Sequence, residues 1–453
     1  MNSSSIIGKI LIEGDLILKS PLLIGDGAGE TSDNFRDVHV LKNRHGEPFI
    51  PGTSLCGVLC DWLESILPAW TPKIFGDMDK MQSSLQVEDI ALKGGEVIAR
   101  DGVRINGLTG TGENGGKYDF EVVERGASGT LRLLINLRGI HVNQNFNGDK
   151  NYSLDEIQDV IARLLRRLHD GIRLGALTSK GFGLVAAENL TASLYDFRDT
   201  KDVVAWLTGE KATHKILPST EQNVISPKNF VVDAQFQFNS SFIIRDYDVS
   251  ADDKAKKISA VTLKSRKDFV IPGTSLKGIL RHRAEYIFAK LGLDAKTLED
   301  LMGNSTTDKK IKSRFIVAES YVAPEDFSEV EHTRNKIDRF TGGTLQGTLF
   351  TTKPAYQKNR GKPTFNFHFE IRNADDAEAG LAIFLLRDLW LGRVALGGEK
   401  SVGRGTVSGL SAEINFNGKT YKLDANGKVI GGNKSELENF AAALKHFAGG
   451  DGK

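Results

Sequence analysis

A chain of 453 residues is too long for one ordinary hydrophobic core and fits two domains. Apolar residues make up 40% and charged residues 26%, the balance of a globular protein, and the formal net charge of +1 excludes nucleic-acid binding by bulk charge. Any such surface must come from local segregation of Lys and Arg. No apolar run approaches the ~20 residues needed to span a bilayer, so no membrane partner is expected. Met1 to Ile7 lack a signal-peptide pattern, and the two cysteines, Cys56 and Cys60, suit a reducing cytoplasm better than a disulfide or zinc site.

The chain opens on an alternating apolar pattern from Gly8 to Asp26, the mark of a strand with one buried face. The pattern returns without a gap from Lys228 to Asp246, an offset of 220 residues (Asp26 to Asp246). Ile10, Ile12, Leu16, Leu18, Leu22 and Ile24 meet Phe230, Val232, Phe236, Phe238, Phe242 and Ile244. Next, Phe49-Ile-Pro-Gly-Thr-Ser-Leu55 recurs as Val270-Ile-Pro-Gly-Thr-Ser-Leu276. Pro-Gly reads as a turn, Thr-Ser as the cap of a helix, and the helices as Leu55 to Leu67 and Leu276 to Leu291. Leu85 to Asp89 then answers Phe315 to Glu319, and Ile105 to Gly110 answers Ile337 to Gly342. A helix expected over Leu154 to His169 matches one over Ala377 to Leu391, and each leads into a glycine-rich loop, Leu174 to Val185 and Leu396 to Val407. Order and spacing are kept together, so the chain reads as a tandem duplication. The expected domains are 1–215 and 229–453, joined by a polar linker over 216–228.

Each half reads strand, helix, strand, strand, helix, strand. That is an α+β arrangement, two tandem ferredoxin-like (RRM-like) domains with insertions and glycine-rich loops. The stretch Arg245 to Lys267 is rich in both charge signs and is expected to be a mobile, solvated loop. Gly181-Phe-Gly183 and Gly403-Arg-Gly405 are expected to present amide N–H groups in a nest that suits a phosphate, with Ser179, Lys180, Lys400, Ser401 and Arg404 beside them. The alternative is a tight turn that binds nothing.

Three motifs together, Ile-Pro-Gly-Thr-Ser-Leu-Lys-Gly (271–278), Ile-Asp-Arg-Phe-Thr-Gly-Gly (337–343) and Gly-Gly-Glu-Lys-Ser-Val-Gly-Arg-Gly (397–405), resemble the RAMP superfamily. The likeness is to the backbone subunits of type III CRISPR effector complexes, with two copies in one chain as in type III-D-like complexes. The resemblance implies a subunit that holds CRISPR RNA along its backbone, beside other CRISPR effector subunits. It further implies a protruding thumb that interrupts guide–target pairing, and cleavage of the target RNA by an aspartate with Mg²⁺ or another divalent ion. Lys277 resembles the family's guide-phosphate contact, and Arg281 lies one helical turn on. Cys56 and Cys60 hold these positions in the first half. Ser54 and Ser275 belong to the same motif, and Arg334 and Arg339 lie near the implied thumb.

The family's cleaving Asp falls in the loop after the first strand. Asp37 matches this placement, since it precedes Pro51 by 14 residues; the matching stretch of the second half, Lys256 to Ser259, has no carboxylate. Asp26 and Asp246 form a second candidate pair, aligned under the 220 offset. A carboxylate here could hold the ion, although loop aspartates are commonly solvated turn formers. Three functions therefore stand open: a metal-dependent endoribonuclease subunit, a non-cutting scaffold of the same complex, and a guide-processing RAMP nuclease using a histidine.

Overall fold

A computed structural model describes residues 5–27, 38–77, 82–107, 109–139, 154–212, 214–220, 228–247, 250–304, 310–359 and 365–447. The chain forms two compact units. The first comprises 1–102, 118–178 and 182–224, and the second 103–117, 179–181 and 225–453.

In the first unit, strand Ile6–Leu18 lies between Ser128–Arg138 and Leu184–Asp196, antiparallel to both. Leu85–Val87 pairs outside Ser128–Arg138, and His214–Ile216 outside Leu184–Asp196. Numbering the four repeated strands along the chain, their order in the sheet is fourth, first, third, second, which is the ferredoxin-like arrangement. Alternation sends Ile10, Ile12, Leu16 and Leu18 into the core, where Leu55, Leu59 and Leu63 of helix Gly52–Ile66 and Ile157, Ile161 and Leu164 of helix Leu154–Asp170 meet them.

The second unit repeats the order. Phe230–Phe238 sits between Phe365–Ile371 and Val407–Phe416, Phe315–Val317 closes one edge, and Lys419–Leu423 and Val429–Gly431 extend the other. Helices Gly273–Leu291 and Asp376–Trp390 supply the second layer. Here the core is aromatic: Phe238 stacks on Phe242 at 4.2 Å between ring centroids, and Phe327 meets both edge-on. Such pairs are worth about 0.5–1.5 kcal/mol beyond their buried area. Helix Lys434–Ala443 packs on Asp376–Trp390, where Gly380 leaves room for the Phe440 carbonyl.

Both Pro-Gly helices start earlier than expected, and their capping differs. Pro51 and Pro272 are themselves the N-caps, with φ of −60° and −62°, and no side chain caps either helix. Proline fixes the extended approach, and the Thr-Ser pair falls inside the first turn. The Gly52 N–H instead donates to Asp89 Oδ1 at 2.7 Å.

The stretch expected to be a mobile loop carries regular structure among its described residues. Arg245–Asp246 pairs with Ile258–Thr262, which runs parallel to Phe350–Lys353, and Ala251–Ala255 is helical. Charge content hid a period of two: Ile258, Ala260 and Thr262 are buried.

The glycine-rich loops share their anchoring bonds. Leu174 N–H donates to Gly183 O and Leu396 N–H to Gly405 O, each at 2.8 Å. Gly183 N–H donates to Pro21 O and Gly405 N–H to Ser241 O, each at 2.7 Å. Those amides are spent inside the fold, so the expected phosphate nest is not formed by them. The glycines serve close packing. Both have positive φ, 73° and 77°, and an added Cβ would overlap the carbonyl of Leu174 or Leu396. Gly405→Ala is expected to cost roughly 2–4 kcal/mol from strain plus overlap. Gly403→Ala, with φ of 82° but open space around it, should cost only about 1 kcal/mol. Denaturant midpoints of the two variants compare them directly.

Candidate nucleic-acid interface

Helix Gly273–Leu291 sets Lys277 and Arg281 one turn apart on one side. The rest of the second unit builds a cradle around them. Gly273 has no side chain, which lets the Lys180 carbonyl lie against the start of the helix; Gly181, at φ 94°, packs equally closely on the backbone of Ala318 and Glu319. Residues 179–181 are thereby seated beside Lys277, whose Nζ donates to Ser179 Oγ at 2.9 Å and to Ser313 Oγ at 2.6 Å. Ser313 is itself fixed, because its hydroxyl reaches the carbonyls of Leu301 and Phe315. Arg281 donates to Gly303 O at 2.8 Å and to Glu285 Oε1 at 3.2 Å.

Cations dominate the electrostatics around Lys277, although Arg281 itself pairs with Glu285. Lys277 is 5% exposed, and its ammonium is bound by the hydroxyls of Ser179 and Ser313. Burial, then the charges of Lys180 and Arg281, push its ammonium down to about 7. Lys180 is lowered by burial and by Arg281. Lys277, with two serine hydroxyls bound to it and the charges of Lys180 and Arg281 near enough to act on it, suits a phosphate, which would offset the repulsion with charge-assisted hydrogen bonds.

The corresponding place in the first unit is built alike and charged differently. Ser83 reaches the carbonyls of Ile74 and Leu85 as Ser313 reaches those of Leu301 and Phe315. Cys56 and Cys60 stand where the cations would be, half-buried, with thiols pushed up by burial first. Ser54 and Ser275 are half-buried within their helices. Ser313 escaped the sequence reading, although Ser83 and Ser313 each stand two residues before the aligned Leu85 and Phe315, and that match could have found it.

The second glycine-rich loop does other work. Leu177 and Glu399 hold equivalent positions, both at φ 56°. Where the first loop puts leucine, the second buries a carboxylate. Glu399 pairs with Arg334, with Arg404 Nε at 2.7 Å and with Arg245 Nη2 at 3.7 Å. Arg404 also donates to Ser241 Oγ and Tyr356 OH, each at 2.8 Å. Two of the expected RNA contacts, Arg334 and Arg404, are therefore ion-paired within the unit. Lys400, Ser401 and Gly403 stay exposed on the loop.

The loop between His332–Arg334 and Phe350–Lys353 projects Ile337 to Gly343. Asp338 Oδ1 accepts from the N–H groups of Phe340 and Thr341, and these bonds hold its carboxyl below the usual range. The same side-chain turn exists at Asn106, whose Oδ1 accepts from Thr109 N–H. At the apex Phe340 is wholly exposed, with exposed Ile337 and Arg339 beside it.

Asp26 is exposed, and its N–H faces His39 O at 3.2 Å. Asp246 is half-buried opposite Val261. The bonds Leu41 N–H to Ile24 O and Leu263 N–H to Ile244 O, each 2.8 Å, show that the two aspartates follow equivalent strand positions. Asp37 lies outside the described residues. Counting back two residues from His39 and from Val261, the counterpart of Asp37 is Ser259, whose hydroxyl donates to Thr351 O. Among the described residues no three His, Cys, Asp or Glu side chains gather to hold a metal ion. No helix among the described residues is long and apolar enough to cross a membrane.

Residues 15–186 and 240–408 each match the RAMP superfamily model. The chain belongs to the RAMP superfamily. The two RAMP regions follow the two ferredoxin-like repeats, and membership is consistent with a CRISPR-associated RNA-binding protein. No curated protein matches the chain.

Proposed function

We propose that this RAMP protein is a tandem backbone subunit of a type III CRISPR RNA-guided complex, holding CRISPR RNA by its phosphates and presenting it to target RNA beside other CRISPR effector subunits. The observation that carries the reading is the cradle of Lys180, Lys277 and Arg281 with Ser179 and Ser313. Backbone capture by charge leaves sequence choice to base pairing, as guided recognition requires. The exposed Phe340 apex supports the thumb role, because an aromatic wedge can stack on an unpaired base.

Cleavage of target RNA, in this reading, belongs to the first repeat. Asp37 has Ser259 as its counterpart, which leaves the second repeat a binding module. A divalent ion such as Mg²⁺, if held at the Asp37 loop, would stabilise charge on the reacting oxygens.

Purification of the complex with its RNA tests the assignment. Asp37→Asn is expected to abolish cuts while RNA binding persists, Asp26→Asn to weaken them, and Asp246→Asn to leave them intact. EDTA should stop cutting. Cuts that survive both Asp37→Asn and EDTA would point to a histidine-based nuclease, and a complex that never cuts to a scaffold.

A further inference from the structure

We infer that the cradle takes up a proton at Lys277 when it captures a phosphate, so that the protein's grip on RNA is linked to pH in the near-neutral range. The inference rests on the RNA-binding reading above and deepens it by adding regulation of the same site.

The Lys277 ammonium faces groups from several elements. From residues 179–181 come the Ser179 hydroxyl and the Lys180 ammonium; from the segment before strand Phe315–Val317 comes the Ser313 hydroxyl. On its own helix Arg281 lies one turn on, with Glu285 bound to Arg281. His282, next along that helix, faces Gly107. Glu319, packed behind Gly181, hydrogen-bonds with the Tyr321 hydroxyl. The surroundings thus press two cations on the lysine, while the nearest-bonded groups are neutral hydroxyls that serve it as acceptors.

A buried ammonium so placed gains by losing its proton when the cradle is empty, which agrees with its fall to about 7. A phosphate entering between the three cations reverses the balance and restores the proton. Binding therefore consumes a proton wherever the free lysine is neutral. The ordinary lysine value of ~10.4 would place such linkage far above neutrality; burial brings it into range.

Isothermal titration of the full chain with a short oligouridine, in HEPES and in Tris at equal pH and salt, reads the linkage directly. At pH 8 the expected result is uptake of about one proton per bound RNA. Affinity should fall about tenfold per pH unit above neutrality. Lys277→Arg, which stays charged, should remove the uptake whatever it does to affinity. Lys180→Ala should reduce it at pH 8 by relieving one neighbouring charge. Tight binding with no proton uptake at pH 8 would overturn the inference and leave the RNA-binding reading standing. Absence of RNA binding at every pH would overturn that reading and this inference with it.

Discussion

Glu399→Ala is expected to destabilise the second unit by about 3–5 kcal/mol, the usual cost of breaking a buried ion pair from one side. The Glu399 side chain is 3% exposed, and its removal strands Arg404, 6% exposed, with neutral acceptors only. Arg334 would keep Thr352 and its contact with the Phe350 ring. Although burial pushes the Glu399 carboxyl up, Arg334 and then Arg404 outweigh it and hold it below the usual range. A carboxyl with a lowered folded value contributes stability above its unfolded value of ~4.3, and that contribution disappears as pH falls through the folded value. Wild type and variant should therefore differ fully at pH 7 and converge in acid. Denaturant titrations at pH 7 and pH 3 measure this, and equal stability at pH 7 would refute the account.

Removing the cradle's charges should have the opposite pattern, a loss of function with a gain in stability. Lys277→Met is expected to weaken RNA binding 10- to 100-fold, the worth of a charge-assisted contact. The slope of log affinity against log salt should fall by about one with the lost phosphate contact. The same change should raise the melting temperature of the free protein. The lowered lysine value means that the folded state loses stability as pH falls from ~10 towards 7, because the unfolded chain holds the proton more readily. Methionine escapes that penalty, and Ser313 keeps its carbonyl partners. A variant that binds RNA normally would remove the cradle from the function, and one that simply unfolds would make Lys277 structural.

Much of the fold was legible because the pattern of buried positions repeats at a nearly fixed offset. Ile10 and Phe230, or Leu18 and Phe238, differ in residue type but agree in face. The Pro-Gly motif located both helices, since proline sets φ wherever it stands. The loops were harder. Gly183 and Gly405 could equally face a phosphate or a carbonyl, and only the positions of Pro21 and Ser241 decide it. Arg404 read as an RNA contact because local sequence gives no sign of the distant Arg334, Tyr356 and Ser241 that surround it with Glu399. Lys277 was found through its motif, whereas Ser313, 36 residues away in sequence, becomes its partner only through tertiary packing.

The two units carry separate cores, one aliphatic and one built on phenylalanine rings. Heating or denaturant therefore need not dissolve the whole chain in a single step, and one melting midpoint would blend two events. Trp390 is buried in the second unit, with its indole N–H donating to Ala425 O, while Trp62, Trp70 and Trp206 belong to the first. Each half thus contains its own optical reporter, and a damaged module can be told from an intact neighbour.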